Sequence, residues 1–169
     1  LIQYAGRNKL VTRSEQVFDV GYAAGFEAMV TAVNTTLPQV ERIDGPLRTT
    51  VRAYPVLVVR ELIANALIHQ DLTMTGTGPT VEVYDGRVEF TNPGAPLIDP
   101  QRFLDHPPRS RNEALAGFMR LMNICEERGS GIDKVISWIE AEHLPPPTFR
   151  RTRGDARASA VAAHPLAAA

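Results

Sequence analysis

From Glu15 to about Asn34 the apolar residues Val17, Phe18, Tyr22, Phe26, Met29, Val30 and Val33 recur at spacings of three and four. That spacing lines one face of a helix, and Gly21 and Gly25 interrupt it without abolishing it. Leu37-Pro38 ends the run. A second helical run opens at Tyr54-Pro55, where proline is tolerated in a first turn, and continues through Val58, Leu62, Ile63 and Leu67 to His69. Residues 39–54 between the two read as one or two short strands around Asp44-Gly45-Pro46. Residues 1–13 hold short β-prone pieces.

The period then changes. Thr80–Tyr84 and Arg87–Thr91 alternate about Asp85-Gly86, a strong short-range hairpin signal. Asn92-Pro93-Gly94 closes the second strand with proline and glycine in the order a type II turn uses. Residues 95–112 carry no period and read as a surface connection or a lid. Helical spacing returns over Glu113–Cys125 and Ile132–Glu142, and Pro145-Pro146-Pro147 stops it. A terminal β-hairpin within 148–166, with strands at about 148–153 and 157–163, is expected to add two edge strands. Strands alternating with helices predict an α/β chain. The expected form is a two-layer sandwich, with a mixed, mostly antiparallel sheet covered by helices on one face.

Composition narrows this picture. The chain has 169 residues, 44% of them apolar, which suits one domain with a real core. Eighteen basic residues against nineteen acidic ones leave a net charge of −1, so there is no global pull toward nucleic acid or an anionic membrane. Arg150, Arg151, Arg153 and Arg157 cluster near the end, where solvated hairpin charge is a better account than DNA contact. The single cysteine, Cys125, excludes an internal disulfide framework and fits a reducing compartment. No apolar stretch is long enough to suggest a membrane span. The chain reads as a single-domain piece (1–169) of a longer cytoplasmic protein.

Glu61, Asn65 and His69 follow one another at four-residue steps and share a narrow stripe of the second helix. A carboxylate can polarise a water, an amide oxygen can bind a hard cation, and an imidazole can reach a phosphate. A solvated polar face, or Glu61 paired with an arginine, is the plainer alternative. In Glu127-Arg128-Gly129-Ser130-Gly131-Ile132 the glycines precede a helical run, where backbone N–H groups can receive an anion. A tight helix connection is the alternative there. Asn92 and Gly94 can face a flat ligand, while Arg109, Arg111 and Asn112 can fold over a phosphate. No phosphate-binding Gly-x-x-x-x-Gly-Lys-Ser/Thr loop occurs, no Gly-x-Ser-x-Gly nucleophile motif occurs, and His69, His106, His143 and His164 are not spaced as a zinc set.

The order of these signals is specific. Arg60-Glu61-Leu62-Ile63-Ala64-Asn65-Ala66-Leu67-Ile68-His69 is followed by Glu89-Phe90-Thr91-Asn92-Pro93-Gly94, then Arg109-Ser110-Arg111-Asn112, then Glu126-Glu127-Arg128-Gly129-Ser130-Gly131-Ile132. From about Tyr4 to Leu166 the chain resembles the RecG-type C-terminal ATPase domain of bacterial and archaeal transcriptional regulators. There it usually follows a Schlafen-type AlbA DNA-binding domain. That family in turn resembles a divergent branch of the GHKL ATPases, which share the Bergerat fold.

The resemblance implies ATP and Mg2+ as cofactors. It makes Glu61 the residue that activates water and Asn65 the magnesium ligand, with His69 near the phosphates. Asn92 and Gly94 take the place of an Asp-x-Gly box that reads adenine. Gly129, Ser130 and Gly131 lie beside the triphosphate, and Arg111 belongs to the lid of residues 95–112. Asn92 departs from the aspartate of that box, so its bond to an adenine amino group lacks charge assistance. The expected function is Mg-ATP binding with slow hydrolysis in a transcriptional regulator that meets DNA through another, N-terminal domain. A non-catalytic nucleotide- or ligand-sensing and dimerisation module is the alternative, and a homodimer and the absence of membrane contact are further expectations.

Overall fold

The computed structural model describes residues 1–44, 46–99, 102, 109–125, 131–151 and 157–163. The order is β1 (Ile2–Tyr4), β2 (Thr12–Glu15), α1 (Tyr22–Thr36), β3 (Gln39–Asp44), β4 (Leu47–Arg52), α2 (Val56–Ile68), β5 (Thr80–Tyr84), β6 (Arg87–Pro93), α3 (Glu113–Leu121), α4 (Gly131–Ala141), β7 (Thr148–Arg151) and β8 (Arg157–Ala163). Six strands form one sheet in the order β2-β1-β5-β6-β8-β7. Among the described strands only β1 and β5 run parallel, so the sheet is mixed and mostly antiparallel as expected. β3 and β4 make a separate two-stranded ribbon.

The alternation along β5 and β6 sorts the two faces. Val83 opposes Val88 and Val81 opposes Phe90. Val83, Val88 and Phe90 join Phe26 and Val33 of α1, Val58, Val59, Leu62 and Ile63 of α2, Ala116 and Met119 of α3, and Val135 and Ile139 of α4 in one buried cluster, with Val81 packed against it. All four helices therefore pack on one face, and burial of that apolar area is the main force holding the layers together. On the other face Glu82 opposes Glu89, and Tyr84 opposes Arg87. Lys9 pairs with Glu82, while Arg87 and Arg150 pair with Glu89, so two buried like charges on neighbouring strands are compensated.

The structure departs from the sequence reading at several points, and α3 ends at Leu121 rather than Cys125. The first helix begins at Tyr22 rather than Glu15, after Gly21 at φ 87°, and residues 12–15 pair instead with β1. Val17 and Val20 are exposed, so their spacing has no core behind it. β6 runs two residues beyond Thr91, because Asn92 and Pro93 pair with Ala158 and Arg157 of β8. β8 lies between β6 and β7, so of the two terminal hairpin strands β7 alone is at an edge.

Candidate functional site

α2 is the spine of the site. Nine of its thirteen residues are buried, because it packs on α1, α4 and β6. Glu61 is 4% exposed, which is unusual for a carboxylate without a specific purpose. Asn65 Nδ2 donates to Glu61 Oε1 at 3.2 Å across one helical turn. Gly131, the first residue of α4, lies so close to Glu61 that a Cβ there would collide with the carboxylate. An acidic group at that end of α4 also meets the positive end of the helix dipole. Glu61, Asn65 and Gly131 are thus one cluster. Gly129 and Ser130 lie outside the described residues.

The second cluster sits where the chain leaves α2. His69 caps the helix C-terminus, and its carbonyl accepts from Asn92 Nδ2 at 3.2 Å. Asn92 Nδ2 also reaches the Pro93 carbonyl at 3.3 Å. Asp71 N donates to that same carbonyl at 2.7 Å, tying the exit of α2 to the end of β6. Arg111 Nη2 donates to Ala95 O at 2.8 Å, and its Nη1 stands 3.9 Å from Asp71 Oδ2. Gly94, at φ 102°, lies between them, and a Cβ there would collide with Arg111 Nη1 and the Asp71 side chain. Only glycine suits both that backbone and that contact.

Burial, and secondarily the Arg111 charge, lowers the His69 pKa below its ordinary value, so the imidazole is held neutral. Thr73 lowers the Asp71 pKa by donating both its hydroxyl and its backbone N–H to Oδ1, which keeps the carboxylate ionised.

Asp71, Gln70 and Asn112 complete this cluster; Asp71 and Gln70 are not among the residues singled out from sequence, and Asn112, expected to fold over a phosphate, bonds backbone instead. Asn112 precedes α3 and has the residue type of a helix cap, yet it makes no side-chain cap bond. Its Nδ2 donates instead to Ile68 O at 2.8 Å and Gln70 O at 2.7 Å. The buried Gln70 donates to Tyr22 OH and Leu67 O. The one available signal was Asp71-Leu72-Thr73, in which an aspartate bonding two residues on marks a turn.

Residues 76–159 match the family model described as "Putative ATP-dependent DNA helicase recG C-terminal". The chain carries a RecG-type C-terminal ATPase-like domain. The matched span of this RecG-type domain contains Asn92, Gly94, Arg111 and Gly131, whereas Glu61, Asn65 and His69 precede it. Among solved structures the domain is similar to the DIP2311 protein from Corynebacterium diphtheriae, with a TM-score of 0.84 at 20% identity over 97% of this chain. At that identity the likeness is one of fold, and the chain spans about a third (34%) of the length of that protein. No curated protein matches the sequence. No helix among the described residues is long and apolar enough to cross a membrane.

Proposed function

We propose that the RecG-type domain binds Mg-ATP along α2 in a GHKL-like manner, hydrolyses it slowly, and serves a cytoplasmic transcriptional regulator that contacts DNA through another segment. The observation that carries this reading is the Glu61–Asn65 pair set against the first residue of α4. Asn65 gives its amide N–H to Glu61 and keeps its carbonyl oxygen as a ligand for a hard cation. Among the described residues no group of three or more His, Cys, Asp or Glu side chains can hold a metal alone. That donor set fits magnesium, which usually takes one or two protein ligands and completes its shell with water and substrate phosphates. When bound, the ion neutralises charge that develops on the phosphates. Glu61 orients the water, and backbone N–H groups at the start of α4 receive phosphate oxygens. His69, Asn92, Gly94 and Arg111 line the far end of the ligand.

Glu61→Ala is expected to retain ATP binding and lose phosphate release; an unchanged hydrolysis rate refutes the role of Glu61. Asn65→Ala is expected to weaken binding only when magnesium is present, read by calorimetry with and without chelator.

A second reading has its own support. The Asn92 amide nitrogen is committed to the backbone carbonyls of His69 and Pro93, which suits a ligand-sensing and dimerisation module without turnover. A thermal shift with ATP and magnesium followed by phosphate release favours the enzyme, and a shift without release favours the sensor.

A further inference from the structure

One oxygen at the exit of α2 has unused accepting capacity. Asp71 Oδ1 accepts from Thr73 N at 3.0 Å and from Thr73 Oγ1 at 2.6 Å. Asp71 Oδ2 faces Arg111 Nη1 at 3.9 Å, which is beyond hydrogen-bond length. Arg111 Nη1 is itself buried with no hydrogen-bond partner among the described residues, so its charge is directed at Oδ2 without saturating it. The Asp71 side chain is 27% exposed, whereas Asn92 as a whole is 8% exposed and its amide nitrogen is already engaged. A ligand edge can therefore reach Asp71 more readily than Asn92.

α2 also sets a distance. Glu61 and His69 are eight residues apart, about 12 Å along the axis at ~1.5 Å per residue. A nucleotide with its phosphates at Glu61, Asn65 and Gly131 has its opposite end, the base, beside Asp71 and Gly94.

We propose that Asp71, and not Asn92, is the base-reading residue of this site, with Oδ2 accepting the exocyclic amino group of adenine. This inference rests on the nucleotide-binding reading above. A single free oxygen suits a single amino donor. Guanine presents two adjacent N–H donors that call for both carboxylate oxygens, and Thr73 occupies one of them. Asn92 then acts as a positioning residue, joining β6 to the end of α2.

The test is calorimetry on the whole chain with magnesium, using ATP, purine riboside triphosphate (which lacks the amino group), 2′-deoxy-ATP, GTP and inorganic triphosphate. The wild type is expected to prefer ATP over purine riboside triphosphate by about tenfold or more, the scale of a hydrogen bond to a charged group. Asp71→Asn keeps an oxygen for Thr73 and is expected to abolish that preference while leaving the affinity for inorganic triphosphate unchanged. Asp71→Ser provides the same comparison if Asp71→Asn lowers the thermal midpoint markedly. An undiminished preference in the variant overturns the inference alone. So does a loss with 2′-deoxy-ATP in place of the purine analogue, which assigns Oδ2 to the ribose. If the wild type binds neither nucleotide nor triphosphate, the nucleotide reading itself fails.

Discussion

Gly131 abuts Glu61 so closely that a Cβ at residue 131 would collide with the carboxylate and stand 2.7 Å from its Cδ. Two residues seventy positions apart are therefore fitted to each other, and the α2–α4 contact depends on one of them having no side chain. Alanine is the better helix former, by up to about 1 kcal/mol. The collision works against that gain, because neither buried helix can retreat freely. Gly131→Ala is expected to destabilise the fold by about 1–3 kcal/mol, the range for overpacking a tight contact. Urea unfolding measures it. Adding Glu61→Ala removes the obstacle and is expected to recover part of the loss, so the two changes are non-additive. Additive effects in that cycle contradict the contact.

Asn112 holds the other end of the same helix. Its amide bonds the carbonyls of Ile68 and Gln70, which lie at and just beyond the end of α2 and lack helical partners. Asn112→Ala leaves both carbonyls to find water and is expected to cost about 1–3 kcal/mol. Asn112→Asp cannot donate and should do no better than alanine. A denaturant midpoint unmoved by Asn112→Ala shows that the carbonyls are satisfied by another route.

These contacts mark the limit of what the sequence discloses. The buried helix at 56–68 and the Asp85-Gly86 hairpin are legible because local period and turn chemistry fix them, and tertiary packing agrees with both. The stripe of Glu61, Asn65 and His69 is legible for the same reason. The end of β6 is not, since Asn92-Pro93-Gly94 has the chemistry of a turn, and Asn92 and Pro93 are extended through pairing with a strand from residues 157–163. Strand order fails likewise, because the interior place of β8 depends on pairing across the whole domain. Asp71 and Asn112 acquire roles only when the exit of α2 meets the end of β6 and residues 111–112, and no local period encodes that meeting.

The neutral His69 predicts an acid-side loss of stability. Its pKa in the folded chain lies below the ordinary 6.5, mainly through burial and then through Arg111. Between the folded and unfolded values the unfolded chain binds more protons, so stability falls with falling pH. The contribution is complete above pH 6.5 and is lost as pH drops through the folded value. Asp71 acts in the same direction, beginning only below its ordinary 3.8. Unfolding free energies measured from pH 8 to pH 4.5 should decline in the wild type and decline less in His69→Gln. Parallel curves for the two proteins count against a buried neutral imidazole.

Tyr84 gives the opposite kind of test, in which removing a polar atom does no harm. Its ring stacks on Tyr4 at 5.0 Å between centroids, and the Arg87 guanidinium lies over it at 3.8 Å. The hydroxyl is buried and makes no well-formed hydrogen bond among the described residues, although the Arg87 guanidinium is close to it, and burial pushes its pKa up to about 12. A buried hydroxyl without a well-formed bond bears a desolvation cost that is not offset. Tyr84→Phe keeps both ring contacts and is expected to leave stability unchanged or raise it by up to about 1 kcal/mol. The neighbouring Tyr4→Phe removes a bond to Glu82 at 3.1 Å and is expected to lower stability instead. Chemical denaturation of the two variants side by side decides the matter: a loss for Tyr84→Phe as large as that for Tyr4→Phe means that the Tyr84 hydroxyl does have a partner in solution.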